Sequence, residues 1–291
     1  MSYQFIHFAE NWGVVITSLD DAGRIRRCGT TQHPHSKNGS YFFDGERGWV
    51  QAWDGDCELH WWDNPNRQEP TIEEQIEWAK RRARREEEQR VLWSSAKRKA
   101  TDLLASCKLQ EHNYLHRKGF RDTKGLVTPD DELFIPMRSF TDGEICGGQL
   151  IYWKEAERVF EKKYLYGSQP KGAALRIGPD DAKELVLCEG YATGLSINLA
   201  LSQMRLRASV LVCFNDSNLI NIASYVKGMR SYVFADHDKS GAGESAAQAT
   251  GLNYCMSPVE GEDANDMHTR TGLMSVCNLI FKARTLKHAT A

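Results

Sequence analysis

The segment VFADHDKSGAGE, Val233 to Glu244, sets Asp236 and Asp238 two residues apart, straight after an apolar run and before glycines that can open a helix. Three further acids occupy comparable places: Glu189 directly follows ELVLC, and Asp263 and Asp266 follow NYCMS by one loop. An isolated Asp pair before Ser-Gly suits an ordinary turn, because all three residue types favour turn conformations. A calcium loop of EF-hand type needs a bidentate Glu at its twelfth position; counted from Asp236 that position is Ala247, which excludes it. Carboxylates gathered without cationic partners repel one another, so a cluster of them calls for a divalent cation. Oxygen-only ligands select Mg2+ or Mn2+ over zinc. Such an ion, held by a few carboxylates, serves chemistry on phosphates.

Whether these acids gather depends on the elements that carry them. The last 110 residues alternate short apolar runs (ELVLC, ASVLVCF, SYVFA, NYCMS) with helical segments (EGYATGLSINLALSQM, SNLINIASYVKG, GESAAQATG) and close on one helix, MHTRTGLMSVCNLIFKAR. Repeated β-α units of this size predict an α/β fold with a mainly parallel sheet and helices on its faces. Ligands of such sheets collect at the carboxyl ends of the strands, so all five acids are expected on one rim.

Upstream, residues 109–182 read as a mixed α+β segment. ELFIPMRSF, EICGGQLIYW and RVFEKKYLYG are strands, TDGE is a hairpin turn, and Lys162, Lys163, Lys171 and Arg176 recur along the second half. Residues 69–108 read as a long connecting helix that opens on Pro70 with a Thr71/Glu74 capping box. Over 71–100 it carries nine Lys or Arg against six Glu, a balance of +3, which fits a solvated face laced with i,i+4 pairs. Residues 1–68 read as a small strand-rich domain behind one helix, with hairpins at Asn38-Gly39 and Asp44-Gly45. Five of the eight tryptophans lie there, at 12, 49, 53, 61 and 62, beside Arg24, Arg26 and Arg27. Most of these rings are expected to fill the core of a small sheet; the alternative is a surface that stacks single-stranded nucleic acid. The remaining segment, 183–291, is the domain of the acids.

A net charge of −2 confines any nucleic-acid surface to local patches. No apolar run approaches the length of a membrane span, and the N-terminus MSYQFIHFAENWG lacks the pattern of a secretory signal; the expectation is a cytoplasmic protein without membrane contact. Eight scattered cysteines with no CxxC pair suit reduced thiols. Cys28, His33, Cys57 and His60 are the ligand types of a Cys2His2 zinc site, but the spacing is loose and His35 competes. Exposed loop histidines and half-buried thiols are the expected reading there.

LCEGYATGLSI, FNDSNL, FADHDKSGAG and EDAND, in this order and spacing, resemble the Toprim domain over residues 183–285, and particularly that of the DnaG-like primases carried by phages and plasmids. Topoisomerases, OLD-type nucleases, ribonuclease M5 and recombination-repair proteins share that domain. LFIPMRSFTDGEICGGQLIYW, KKYLYGSQPKGAALRIG and HNYLHRKGF resemble the N-terminal part of the DnaG-type primase core, and residues 20–62 resemble the leading segment of the same mobile-element primases. Two departures stand out: the usual Cys/His zinc ribbon is missing, and Gly148-Gln149 stands where Gly-Arg is common.

The resemblance implies a DNA primase, which makes short RNA primers on single-stranded DNA by metal-dependent nucleotidyl transfer. Two or more Mg2+ or Mn2+ ions would accompany the nucleotide at Asp236, Asp238 and Asp263. Glu189 would support the metal or act as general base toward the attacking 3′-hydroxyl. Asp266 is either an outer partner of these acids or a helix cap, Asn218 places a carboxylate or phosphate, and His237 is a solvent-facing spacer. Arg138, Lys163, Lys171, Arg176 and Lys239 would contact template or nucleotide, and residues 1–68 are a possible template-binding domain. The chain has no GxxxxGK[ST] motif, so the implied partners are single-stranded DNA, NTPs and a separate replicative helicase. A metal-dependent Toprim nuclease and a non-catalytic Toprim adaptor are the alternatives. No second large domain offers the strand-cleaving tyrosine of a topoisomerase.

Overall fold

The computed structural model describes residues 2–20, 23–55, 57–65 and 71–285. The chain divides into two units, Met1–Arg81 and Arg82–Ala291. In the first, helix α1 (Ser2–Asn11) covers one face of a five-stranded antiparallel sheet of β1 (Val14–Val15), β2 (Arg26–Thr30), β3 (Gly39–Phe43), β4 (Arg47–Ala52) and β5 (His60–Asp63), paired in sequence order. Phe5 and Ala9 of α1 pack on Val14, Tyr41, Phe43 and Val50. The β3–β4 hairpin turns at Asp44-Gly45, where Asp44 Oδ1 accepts the backbone N–H groups of Glu46 and Arg47. Asn38-Gly39 is not a second hairpin turn; it ends the loop between β2 and β3.

The tryptophans depart from expectation. The core cluster takes in Trp62 but none of the other four, and Trp12, Trp53 and Trp61 are 44, 38 and 64% exposed. Strand alternation decides this: Gly48, Val50 and Trp62 face α1, which turns Trp49 and Trp61 to the opposite side.

Helix α2 (Ile72–Ser106) spans the division between the units. Pro70, the side chain of Glu74 and the expected boundary at 68/69 lie outside the described residues. In the second unit follow β6 (Lys108–Gln110), α3 (Asn113–Arg117), β7 (Gly125–Val127), β8 (Leu133–Ser139), β9 (Ile145–Lys154), β10 (Val159–Tyr164) and β11 (Ala173–Ile177). Then come β12 (Glu184–Cys188), α4 (Tyr191–Gln203), β13 (Ala208–Val212), α5 (Asp216–Tyr225), β14 (Arg230–Ala235), α6 (Ala242–Thr250), β15 (Asn253–Met256), α7 (Ala264–Thr271) and α8 (Leu273–Thr285). The end of α2 joins this unit by packing Ala100, Leu103 and Leu104 with Phe134, Ile145 and Leu165.

Segments 109–182 and 183–291 share one sheet, of order β10-β9-β8-β11-β13-β12-β14-β15, with β6 and β7 attached beside β8. The joint is β11, antiparallel to β8 on one side and to β13 on the other. Beyond it β13, β12, β14 and β15 are parallel. Strands β12 and β13 are buried along their whole length, as the unbroken apolar runs ELVLC and ASVLV require when both faces are covered. On one face Ile197 of α4, Met267 of α7 and Ile280 of α8 pack against Val186, Val210 and Phe234. On the other, Leu219 and Ile222 of α5 and Ala247 of α6 pack against Leu185, Leu211 and Val233. The single closing helix expected from sequence is two, because Gly272 adopts φ 84° and breaks the run between α7 and α8. Among the described residues no helix is long and apolar enough to cross a membrane.

This topology fixes where a site can form. From β12 the chain crosses to β13 on one side, and from β13 it returns past β12 to β14 on the other. The crevice at the carboxyl ends of β12 and β14 is therefore the topological switch point of the parallel sheet. Glu189 and Asp236 are the first residues beyond those two strands.

Candidate active site

Glu189 follows Cys188 and precedes Gly190, the N-cap of α4. Its carbonyl accepts the N–H of Phe214 at 2.9 Å, just after Cys188 O accepts Cys213 N at 2.8 Å, so the β12–β13 ladder runs on into the loop. Phe214 takes φ 72°, a left-handed conformation rare for an aromatic residue. After that turn come Asn215, whose Oδ1 caps α5 by accepting Asn218 N at 2.9 Å, and Asp216. Asp216 stands near the Glu189 carboxyl, whose pKa rises to about 8. Burial is the leading cause, then the charge of Asp216, then that of Asp236, with Lys162 opposing them.

Asp236 follows β14 with its Oδ1 buried and without a hydrogen-bond partner. Burial first, then Asp263 and Asp216, push its carboxyl up to about 7 against the opposing charge of Lys162. A β-carbon on Gly243 would stand 2.3 Å from the Asp236 carbonyl oxygen, so only glycine lets α6 start this close. Asp238 faces the opposite regime. It accepts the N–H of Ser240 at 2.8 Å and of Gly243 at 2.7 Å, together with the Ser240 hydroxyl, at the start of α6. Burial raises its pKa, but these hydrogen bonds outweigh burial and hold it below the usual aspartate value.

The expected convergence is thus partial. Asp263 is the N-cap of α7: its Oδ1 accepts Asn265 N and Asp266 N, and its Oδ2 accepts the Thr193 hydroxyl at 3.0 Å. Asp266 completes the reciprocal capping box through Asp263 N and meets Lys118 Nζ at 3.4 Å. His237 is half-buried rather than a solvent-facing spacer, because its Nδ1 pairs with Ser257 O at 2.8 Å and its backbone bridges to Glu262. Asn218 is committed to the backbone. Its amide hydrogens go to Ala173 O and Cys213 O, each at 2.7 Å, and its Oδ1 accepts Gly172 N at 2.7 Å. No amide hydrogen remains to position a phosphate; Asn218 ties β11 to the end of β13.

Lys162 and Asp216 were not singled out from the sequence as members of the site. Along β10, Phe160 and Tyr164 pack toward the core of the antiparallel half, so Lys162 lies on their face and the neighbouring Lys163 on the other. Tyr164 donates its hydroxyl to Phe214 O at 2.9 Å and so fastens β10 to the loop that carries Asp216. The alternation was a usable signal for Lys162; nothing local marks Asp216, which the Phe214 turn redirects. Of the other predicted contacts, Lys163, Lys171 and Lys239 are exposed. Arg138 donates to Gly143 O at 3.1 Å and lines one cavity with Arg176, whose Nη1 is buried and unpartnered.

Among the described residues no three His, Cys, Asp or Glu side chains stand close enough to chelate an ion as they are. The unpartnered Oδ1 of Asp236 and the raised pKa of Glu189 fit a divalent cation held by these two residues. In the first unit, Cys28, His33, Cys57 and His60 do not assemble. Cys57 donates to Trp53 O, His33 pairs with Asp54 at 2.8 Å, the His60 ring lies 3.5 Å from that of Trp12, and Cys28 is half-buried.

Acids at the switch point of a parallel sheet of this order define the class, and the family comparison agrees: residues 184–273 match the Toprim domain, so the chain carries a Toprim domain. Among solved structures, the chain is similar to a DNA primase domain from Pseudomonas aeruginosa, at 17% identity and a TM-score of 0.34, over 53% of this chain and 50% of that one. It is also similar to a chain from the bacteriophage T7 lagging-strand DNA polymerase complex with primase domains of two gp4 subunits bound to an RNA/DNA hybrid and dTTP. That match has 15% identity and a TM-score of 0.33, over 52% of this chain and 76% of that one. This chain therefore spans half the length of the first of these relatives. No curated protein sequence matches it.

Proposed function

We propose that the chain is a DNA primase that joins ribonucleotides on a single-stranded DNA template in phage or plasmid replication. The observation that carries this reading is the composite site. Lys162, exposed on the antiparallel half, opposes the rise in pKa of the same half-buried pair, Glu189 and Asp236, that the Toprim half supplies. Asp236 and Glu189 would hold Mg2+ or Mn2+, with Asp238 beside them. The bound ion supplies charge neutralisation at the triphosphate and acidifies an oxygen nucleophile.

The chain's own groups account for the rest. Glu189, whose carboxyl titrates at about 8, would release its own proton to solvent when a cation binds beside it, and the resulting carboxylate is placed to accept one from a 3′-hydroxyl. Lys162 offsets the negative charge that accumulates at the rim as a triphosphate enters. Asp238, kept ionised by the first turn of α6, orients that turn beside Asp236. Exposed Lys163 and Lys171, with Arg138 and Arg176, lie on the strands and loop leading to the site and are the proposed template contacts. A replicative helicase is the proposed partner that delivers the template.

The test measures ribonucleotide incorporation on single-stranded DNA with Mg2+ or Mn2+, comparing the wild type with the Asp236→Ala, Asp238→Ala double variant. Metal-dependent product growth that disappears in the variant is expected. Strand cleavage in its place, or template binding with neither activity, refutes the primase reading.

A further inference from the structure

The first unit's sheet has a second face, turned away from α1. Three aromatic rings lie side by side across it: Phe42 of β3 is the register partner of Trp49 of β4, which is the partner of Trp61 of β5. Their neighbours Tyr41, Phe43, Val50 and Trp62 form or pack on the core, so the three rings face away from α1. The Phe42 and Trp49 rings are nearly parallel, 12° apart with centroids separated by 6.4 Å, and Trp61 is 64% exposed. At the edge Arg27 lies 3.7 Å over the ring of Trp53. At outward positions of β2 to β5 the charged residues are Arg27, Arg47 and Asp63, and the last two pair with each other. This face is thus aromatic with a net positive charge, although residues 1–68 carry more acids than bases.

We infer that Phe42, Trp49 and Trp61, flanked by Arg27 and Trp53, form a platform on which bases of single-stranded nucleic acid stack. Flat π-faces in a row accept any base, and a single guanidinium at the edge suits a phosphate. Outward positions of these strands hold no aliphatic side chain, so the apolar surface on offer is aromatic. Stacking supplies most of the affinity, since the unit's overall charge opposes a phosphate-driven mode. The inference does not depend on the chemistry at Asp236.

The experiment uses the full chain and labelled dT, rU and duplex DNA oligonucleotides, read by fluorescence anisotropy, with photocrosslinked peptides mapped by mass spectrometry. Trp61→Leu keeps an apolar side chain and Trp61→Phe keeps a ring. Loss of one stacked base corresponds to roughly a 5- to 150-fold rise in Kd. That rise is expected for Trp61→Leu on single strands, with recovery in Trp61→Phe and crosslinks in the peptides that carry β3, β4 and β5. The arms with dT and rU show whether the strand held is DNA or RNA. The inference is overturned if Trp61→Leu binds single strands as the wild type does, if crosslinks fall only in residues 109–285, or if duplex binds as well as either single strand. It is equally overturned if Trp61→Leu abolishes self-association of the chain and leaves Kd unchanged. Asp236→Asn, measured alongside, should stop incorporation without moving these crosslinks, so a failed platform and a failed primase reading give different results.

Discussion

Replacing Asp236 by Asn should make the metal-free protein less sensitive to alkaline pH. Asp236 in the folded chain titrates at about 7, against an ordinary 3.8. Because the folded value is the higher one, the stability associated with this carboxyl is whole below about pH 4 and is lost as pH rises through about 7. At ~1.4 kcal/mol per pKa unit, the full displacement corresponds to about 4 kcal/mol. Part of that belongs jointly to Asp263 and Asp216, whose charges act on the same carboxyl, so removing one member recovers roughly 2 to 4 kcal/mol. For a unit of this size that is a change in Tm of roughly 5 to 15 °C between acid and alkaline conditions. Glu189, displaced in the same direction to about 8, leaves a residual slope in the variant.

The assay is thermal unfolding in chelator at pH 5, 6, 7 and 8, for wild type and Asp236→Asn, repeated with Mg2+. The pH slope is the readout, because the Asn amide enters a pocket that already leaves Oδ1 unpartnered and its own hydrogen bonding shifts the absolute Tm. Wild-type Tm should fall from pH 5 to 7 and level off toward pH 8, and the variant's fall should be smaller. Magnesium should restore the wild type at pH 8, by about 2.7 kcal/mol when present at a hundred times its Kd, and should do little for the variant. Parallel pH slopes in chelator, or equal stabilisation of both proteins by magnesium, would refute the reasoning.

Two further outcomes follow from the same geometry. Lys162→Ala should lower ribonucleotide incorporation by roughly 10- to 100-fold, as expected when a cation that offsets charge at the reacting phosphates is removed. Lys163→Ala, on the opposite face of β10, should leave turnover within about threefold while weakening template binding and lowering its salt slope by about 1; equal losses of turnover in the two would contradict the assigned faces. Asn218→Ala should cost roughly 3 to 5 kcal/mol in urea unfolding, because two carbonyls and one N–H lose their partners together. Nucleotide affinity of its folded fraction should not change, and a loss of affinity at unchanged stability would restore Asn218 to the binding surface.

The sequence made the main carboxylates legible because Glu189 and Asp236 are each the first residue after a run of apolar residues, and strand ends at a parallel sheet's rim are where ligands bind. It made their chemical states illegible. Asp238 lies two residues from Asp236 and differs in pKa direction because it lands on the first turn of α6, a contact set by Gly241 at φ 71° and by the close approach of Gly243. Asp263 and Asp266 carried a readable alternative, since acids three apart at a helix start form a capping box, and that is the role the structure gives them. Asp216 had no comparable signal. Its place against Glu189 depends on the left-handed Phe214, which side-chain periodicity does not report. The tryptophans were misjudged for a different reason. Aromatic content suggested a core, whereas parity along β4 and β5 already placed Trp49 and Trp61 opposite Val50 and Trp62.

The least legible element, β11, has the largest consequence for the site. AALRI is short, and Lys-Gly before it and Gly-Pro after it read as turns. Pairing with β8 on one edge and β13 on the other, it converts two sequence segments into one sheet. Asn218 holds its first residues against the end of β13, and Tyr164 fastens β10 to the Phe214 turn. These two ties bring Lys162 to Glu189 and Asp236. The acidic motifs alone account for a half-buried pair of carboxyls that a divalent cation would neutralise, but not for a cation beside them. With β10 and β11 in place the same pair meets the charge of Lys162, which opposes the rise in both pKa values. The reading of polymerisation therefore rests on the antiparallel half, through a lysine and two hydrogen-bonded tethers, as much as on the acids.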